Sequence, residues 1–173
     1  MALSAMFVRD GADWLVASVK ETLPADADAD AAELSDLEFL IGDWEAKRGD
    51  RDMSISYAWG DGKAFLRTRD TVREKGKVTA SGTEIFAKDP ATGSLRAWMF
   101  DKSGTIAESD WGFDGAAWVL TATGTLPLGA ETSATNILVP LGPDALTWQS
   151  IDRSIAGQPV PDLVPLEITR VKK

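Results

Sequence analysis

Turn signals recur from Gly49 onward at intervals of roughly a dozen residues, and this rhythm constrains the fold more than any other feature of the chain. They fall at Gly49-Asp50, Asp61-Gly62, Lys75-Gly76, Asp89 to Gly93, Lys102-Ser-Gly104, Asp114-Gly115, Leu128-Gly129, Gly142-Pro143 and Ala156-Gly157. Between them lie runs of strand-forming residues such as Met53 to Trp59, Leu95 to Phe100 and Trp118 to Thr123. Such punctuation describes an antiparallel meander. From Phe39 to Val171 it gives about ten strands, and an open sheet of that width curls or closes to bury a face and remove its edges. The expected fold is all-β: a closed antiparallel up-and-down barrel. Its one helical signal is Ser35-x-x-Glu38, a capping-box pattern that supports a turn or two before the first barrel strand.

Composition narrows the chemistry. The 173 residues contain no His and no Cys, which removes Ser-His-Asp and Cys-His nucleophile systems, Cys/His zinc sites, thiol redox and histidine-ligated haem. Carboxylate, Arg/Lys, hydroxyl and aromatic chemistry remain, and no cofactor or metal is expected. A net charge of −9 argues against binding a nucleic-acid backbone. No apolar run approaches the roughly 20 residues that cross a bilayer, and Met1 to Val8 lacks the basic start of a signal peptide, so a cytoplasmic location is the default expectation.

The acidity is concentrated. Residues 21–38 hold Glu21, Asp26, Asp28, Asp30, Glu33, Asp36 and Glu38 with no base among them, and the rest of the chain has 20 acids against 18 bases. The Ala-Asp alternation within this stretch has no apolar face, so residues 22–34 read as an extended, self-repelling linker between a hairpin at 1–21 and a barrel at 35–173. Asp26, Asp28 and Asp30 share the spacing of the first ligands of a calcium loop. Ala31 and Leu37 stand where that loop needs Gly and Glu, so no calcium site is expected.

Phe39-Leu-Ile-Gly42-Asp-Trp44 resembles the Gly-x-Trp opening of the calycin superfamily, the lipocalin-like barrels, in which a Trp plugs the closed end. The run from Gly82 to Asp101, with Ala134-Thr-Asn136 and Trp148 to Arg153, is similar to a bacterial branch of such barrels of unassigned function. The resemblance implies that Trp44 is the plug and that Arg170, on the last strand, stacks on it. It departs from haem-carrying nitrobindin-like barrels, whose proximal His has no counterpart here. Phe7 to Glu21, with a turn at Asp10-Gly11, looks like the closing hairpin of a SnoaL-like domain, which implies such a domain as a partner; a second copy of this chain is the other partner expected.

Turn lengths predict a register. A two-residue loop at Lys75-Gly76 sets Arg67 opposite Glu84, a five-residue loop at 89–93 sets Glu84 opposite Trp98, and a three-residue loop at 102–104 sets Trp98 opposite Glu108. Hydrophobicity alone does not say whether this row, flanked by Phe65, Phe86, Phe100 and Ile106, points inward. The resemblance favours the Ile85 face as the outside, and hence Arg67, Glu84, Trp98, Phe100 and Glu108 as a ligand-facing interior, with Asn136 and Gln149 as further candidates. An interior Arg67 would need Glu84 or Glu108 as its partner.

Three functions are compatible with these residues. A barrel could bind a small, partly apolar molecule; it could serve as a non-catalytic module packing on a SnoaL-like domain; or Glu84 and Glu108 could work as an acid/base pair. The first is the leading expectation, and no catalytic residue is assigned.

Overall fold

The computed structural model describes residues 32–172 with their side chains, and residues 2–10 and 13–22 as backbone strands. Strands β1 (Ala2–Asp10) and β2 (Asp13–Thr22) pair antiparallel, with a register shift between Met6 and Phe7. The acidic core of the expected linker, with Asp26, Asp28 and Asp30, lies outside the described residues.

A 3-10 helix, Leu34–Leu40, leads into the barrel. It starts one residue before the Ser35 expected from sequence, with Glu33 rather than Ser35 at the cap, and the Glu33 N–H donates to the Asp36 carboxylate at 2.8 Å. Leu37 and Leu40, three residues apart and so on one face of the 3-10 helix, are fully buried in the core.

Next come β3 (Gly42–Arg48), β4 (Arg51–Trp59), β5 (Leu66–Glu74), β6 (Lys77–Lys88), β7 (Leu95–Asp101) and β8 (Ile106–Phe113). They continue into β9 (Trp118–Thr125), β10 (Glu131–Gly142), β11 (Ala145–Ile155), the two-residue β12 (Gln158–Pro159) and β13 (Leu166–Arg170). Each strand from β3 to β11 pairs with its successor, β11 pairs with β13, and β13 returns to β3. Ten strands thus form a closed antiparallel barrel, with β12 clipped to the end of β11. The predicted turns fall between strands of this meander, except that Gly142 of the predicted Gly142-Pro143 turn is still the last residue of β10. At Lys75-Gly76 both residues have positive φ, 51° and 78°, as a two-residue hairpin loop requires.

Alternation along the strands sorts the side chains. Leu66 and Thr68 of β5, Leu95 and Ala97 of β7, Ser109 and Trp111 of β8, and Leu120 of β9 are buried in the interior. Part of that space is filled by rings. Phe86 meets Trp111 edge-on at 4.9 Å, Trp111 lies 6.1 Å from Trp118, and Tyr57 sits 6.4 Å from Phe86.

Trp44 is 1% exposed, and its indole N–H donates to the Leu40 carbonyl at 2.7 Å. The Arg170 guanidinium lies 4.2 Å from the centre of that ring. It donates to the carbonyls of Phe39 (2.6 Å), Ile41 (2.6 Å) and Pro143 (3.0 Å), and pairs with Asp144 at 3.3 Å. One side chain therefore ties the entry helix, the β10–β11 turn and the last strand together.

Two features move the register away from the turn-length expectation. Between Val72 and Arg73 the β5–β6 ladder shifts by one residue, so Arg67 faces Ile85 and Thr68 faces Glu84. The next loop has six residues rather than five, so Glu84 faces Met99 and Ile85 faces Trp98. Trp98 does face Glu108. The two one-residue slips cancel across β6: Arg67, Trp98 and Glu108 share a row, but Ile85 stands in it where Glu84 was expected.

Candidate functional site

A one-residue slip reverses the face of a side chain, and the consequences are decisive here. The row Arg67, Ile85, Trp98, Glu108 faces outward: Arg67 is exposed, and the Glu108 side chain is 51% accessible. Phe100, two residues beyond Trp98 on the same face, is 49% exposed. Glu108 pairs with Arg96 at 2.9 Å, and not with Arg67. Arg96 also holds Asp110 at 3.1 Å and Asp89 at 3.6 Å, and its guanidinium lies 5.5 Å from the Trp98 ring. This outer cluster is a surface ion-pair network, whose individual pairs contribute about 0–1 kcal/mol each. Gln149 also sits outside the barrel, where its amide donates to the Leu163 carbonyl at 3.1 Å. Asn136 shares the interior face through its pairing with Ser150 and Leu120, both buried.

Glu84 alone of the predicted charged residues points inward. It lines an interior cavity of about 190 Å³ bounded by the aromatic rings of Trp44, Tyr57 and Trp148. Met53, Ile55, Leu138, Leu146 and Ile168 supply its aliphatic wall, and Thr68, Asp70 and Glu84 its polar side. Each element contributes by strand alternation: β4 sends in Met53, Ile55 and Tyr57, and β5 sends in Thr68 and Asp70. The Thr68 hydroxyl accepts from the Glu84 backbone N–H at 3.2 Å, which holds the two strands in register at the cavity wall.

Among the described residues, the Glu84 carboxyl has no hydrogen-bond or ion-pair partner, and no Lys or Arg lines the cavity. Burial raises its pKa from 4.5 to about 7, and the neighbouring Asp70 charge adds to the shift. Asp70 is also raised, by burial first, with the charge of Asp101 adding and nearby backbone amides, including that of Gly82, pulling the other way. Burial pushes the Tyr57 phenol further above its ordinary range, with Glu84 and Asp70 reinforcing it. These three groups therefore share a recessed, aromatic-walled space in which burial works against the charged form of each. Glu84 and Glu108 lie on opposite faces of the sheet, so they do not converge on a common substrate.

Sequence reasoning missed Tyr57, Thr68 and Asp70 as site residues. The signal was present in β5, where Leu66-x-Thr68-x-Asp70-x-Val72 carries a lone acid on an otherwise uncharged alternation. Among the described residues, no group of three or more carboxylates is placed to hold a metal ion, and no helix is long and apolar enough to cross a membrane.

No protein-family model and no curated protein matches the chain. Among solved structures it is similar to the crystal structure of Rv2717c from M. tuberculosis, at a TM-score of 0.55 and 20% identity over 83% of this chain and 100% of that one. At that identity the likeness is one of fold, a barrel built on the same plan.

Proposed function

We propose that the barrel binds a small, partly apolar molecule in the interior cavity, with the polar group of the guest meeting Glu84 and Asp70. One observation carries this reading: a part-buried carboxyl without a protein partner faces an aromatic-walled cavity of about 190 Å³. Leaving such a group unsatisfied costs stability, and cores retain it where a ligand or ordered water completes it. The calycin resemblance of the Gly42-Asp-Trp44 opening fits the same function. The Arg67, Trp98, Phe100 and Glu108 set is replaced as the contact surface by Tyr57, Thr68, Asp70 and Glu84.

The test is ligand-induced thermal stabilisation with a library of small molecules, set beside the variant Leu138→Trp, which fills the cavity. Compounds that raise the melting midpoint of the wild type and leave the variant unmoved support the reading. Stabilisation that is equal in both would place binding elsewhere and end it.

A second reading, the accessory module, draws on a different feature. The barrel end beside Ala32 exposes Phe113 (50%) and Leu141 (57%), next to Phe39, Pro140 and Pro143. Contiguous exposed apolar surface of this kind is where protein partners dock. A concentration-dependent molecular mass that Leu141→Glu abolishes is the result expected of this reading if the partner is a second copy of the chain.

A further inference from the structure

The chemistry of the cavity wall says more about its guest than size does. Of its eleven lining residues, two are carboxyls, one is a phenol, one a hydroxyl, two are indoles, and none is basic. A cavity of about 150 Å³ takes up benzene, so about 190 Å³ admits one six-membered ring with a short substituent. Carboxyls accept hydrogen bonds when ionised, and ring faces attract cations. Every lining group able to take part in charge recognition thus favours the same sign of guest.

We propose that the guest is a monocyclic organic cation, an amine or amidine on a single ring, whose nitrogen lies between Asp70 and Glu84 while its ring packs among Trp44, Tyr57 and Trp148. This rests on the interior cavity being the binding site. An anionic guest would face two carboxyls with no compensating base, and a neutral hydrocarbon would leave the Glu84 carboxyl and the phenol without a polar partner. A protonated nitrogen satisfies them together. Entry of the positive charge favours the ionised form of Glu84, so uptake at neutral pH releases a proton from its carboxyl to the buffer, and affinity rises as pH rises through about 7. The titratable groups around Glu84 all bear on this balance: Tyr57 from β4, Asp70 from β5 and, beyond Asp70, Asp101 from β7. Strands β3, β10, β11 and β13 contribute only uncharged side chains to the wall.

Three probes of one size decide the matter: benzylamine, toluene and benzoate, titrated by calorimetry against the full chain at pH 5.5 and pH 8. Benzylamine is expected to bind at least tenfold more tightly than toluene at pH 8, at least fivefold more weakly at pH 5.5 than at pH 8, and with proton release near pH 7 seen as a buffer-dependent heat. Glu84→Gln is expected to erase the pH dependence and most of the preference over toluene. Should Glu84→Gln not fold, Asp70→Asn is expected to remove most of the preference over toluene while leaving a pH dependence set by Glu84. Toluene or benzoate binding as tightly as benzylamine would overturn the cation inference while leaving the cavity as a binding site. Failure of all three probes to bind would overturn both.

Discussion

Replacing Glu84 by Gln probes the site through stability alone, with no ligand needed. The folded protein holds this carboxyl at a pKa of about 7 against 4.5 for the free group, which corresponds to about 3 kcal/mol at 1.36 kcal/mol per factor of ten. The sign follows from proton uptake. Below about pH 4.5 both folded and unfolded chains keep the proton and the group costs nothing. As pH rises from 4.5 to 7 the unfolded chain ionises while the folded one resists, so stability falls across that window and levels off above it. Asp70, raised in the same direction, adds to the slope. Two other shifted acids act elsewhere. At Asp101 burial raises the pKa, but hydrogen bonds from Ser103 and Thr105 outweigh it, and at Asp114 the amides of Ala117 and Ala116 lower it. Their stabilisation is present above the ordinary carboxylate range and is lost only in stronger acid. Urea unfolding followed by tryptophan fluorescence at intervals from pH 4.5 to 8.5 isolates the Glu84 window. The wild type is expected to lose about 3 kcal/mol over that range, whereas Glu84→Gln loses much less and becomes the more stable protein at pH 8. Parallel profiles for the two proteins would refute the claim that Glu84 is an unpartnered carboxyl with a raised pKa, and the proposed site with it.

Other substitutions have separate outcomes. Trp44→Ala should cost about 3–5 kcal/mol in urea unfolding, as for a large buried aromatic that also donates to the Leu40 carbonyl. Arg170→Met removes three carbonyl contacts at once and should cost about 2–4 kcal/mol, with a midpoint loss under 0.5 kcal/mol showing the clamp to be idle. Gly42→Ala places a methyl 2.8 Å from the Arg170 guanidinium at a φ of 123°, so calorimetry should show a loss of about 1–3 kcal/mol. Arg67→Met, on the outer face, should change stability by no more than about 0.5 kcal/mol and leave ligand binding as it is.

The architecture was legible because turn chemistry is local: Lys75-Gly76 and Gly49-Asp50 declare their hairpins whatever the rest of the chain does. The site was harder to read because register is cumulative. The β5–β6 ladder shifts beside Val72, and no residue of Val72-Arg73 or Val78-Thr79 announces it. The extra residue in the Asp89 to Ser94 loop is equally quiet, since Ser94 belongs as readily to a strand end as to a turn. Each slip changes the face of everything beyond it until the next, so Glu84 and Arg67 were assigned to one row when they lie on opposite faces. The bare parity of Leu66, Thr68 and Asp70, taken alone, was the better guide.

The barrel wall is not equally strong all round. Strands β3 and β4 are joined along seven residue pairs, from Gly42↔Tyr57 to Arg48↔Arg51, whereas β13 meets β3 at two, Thr169↔Glu45 and Arg170↔Trp44. Beyond them a single backbone bond, from the Val171 N–H to the Asp43 carbonyl at 2.8 Å, completes the join. Local opening follows the fewest bonds, so the amides of β13 are expected to exchange with deuterated solvent ahead of those of β3 to β9. Trp44 and Ile168, on the two sides of that join, are both walls of the cavity. Breathing at this seam would uncover the cavity sideways, and the residence time of any occupant would then be set by how tightly Arg170 latches it.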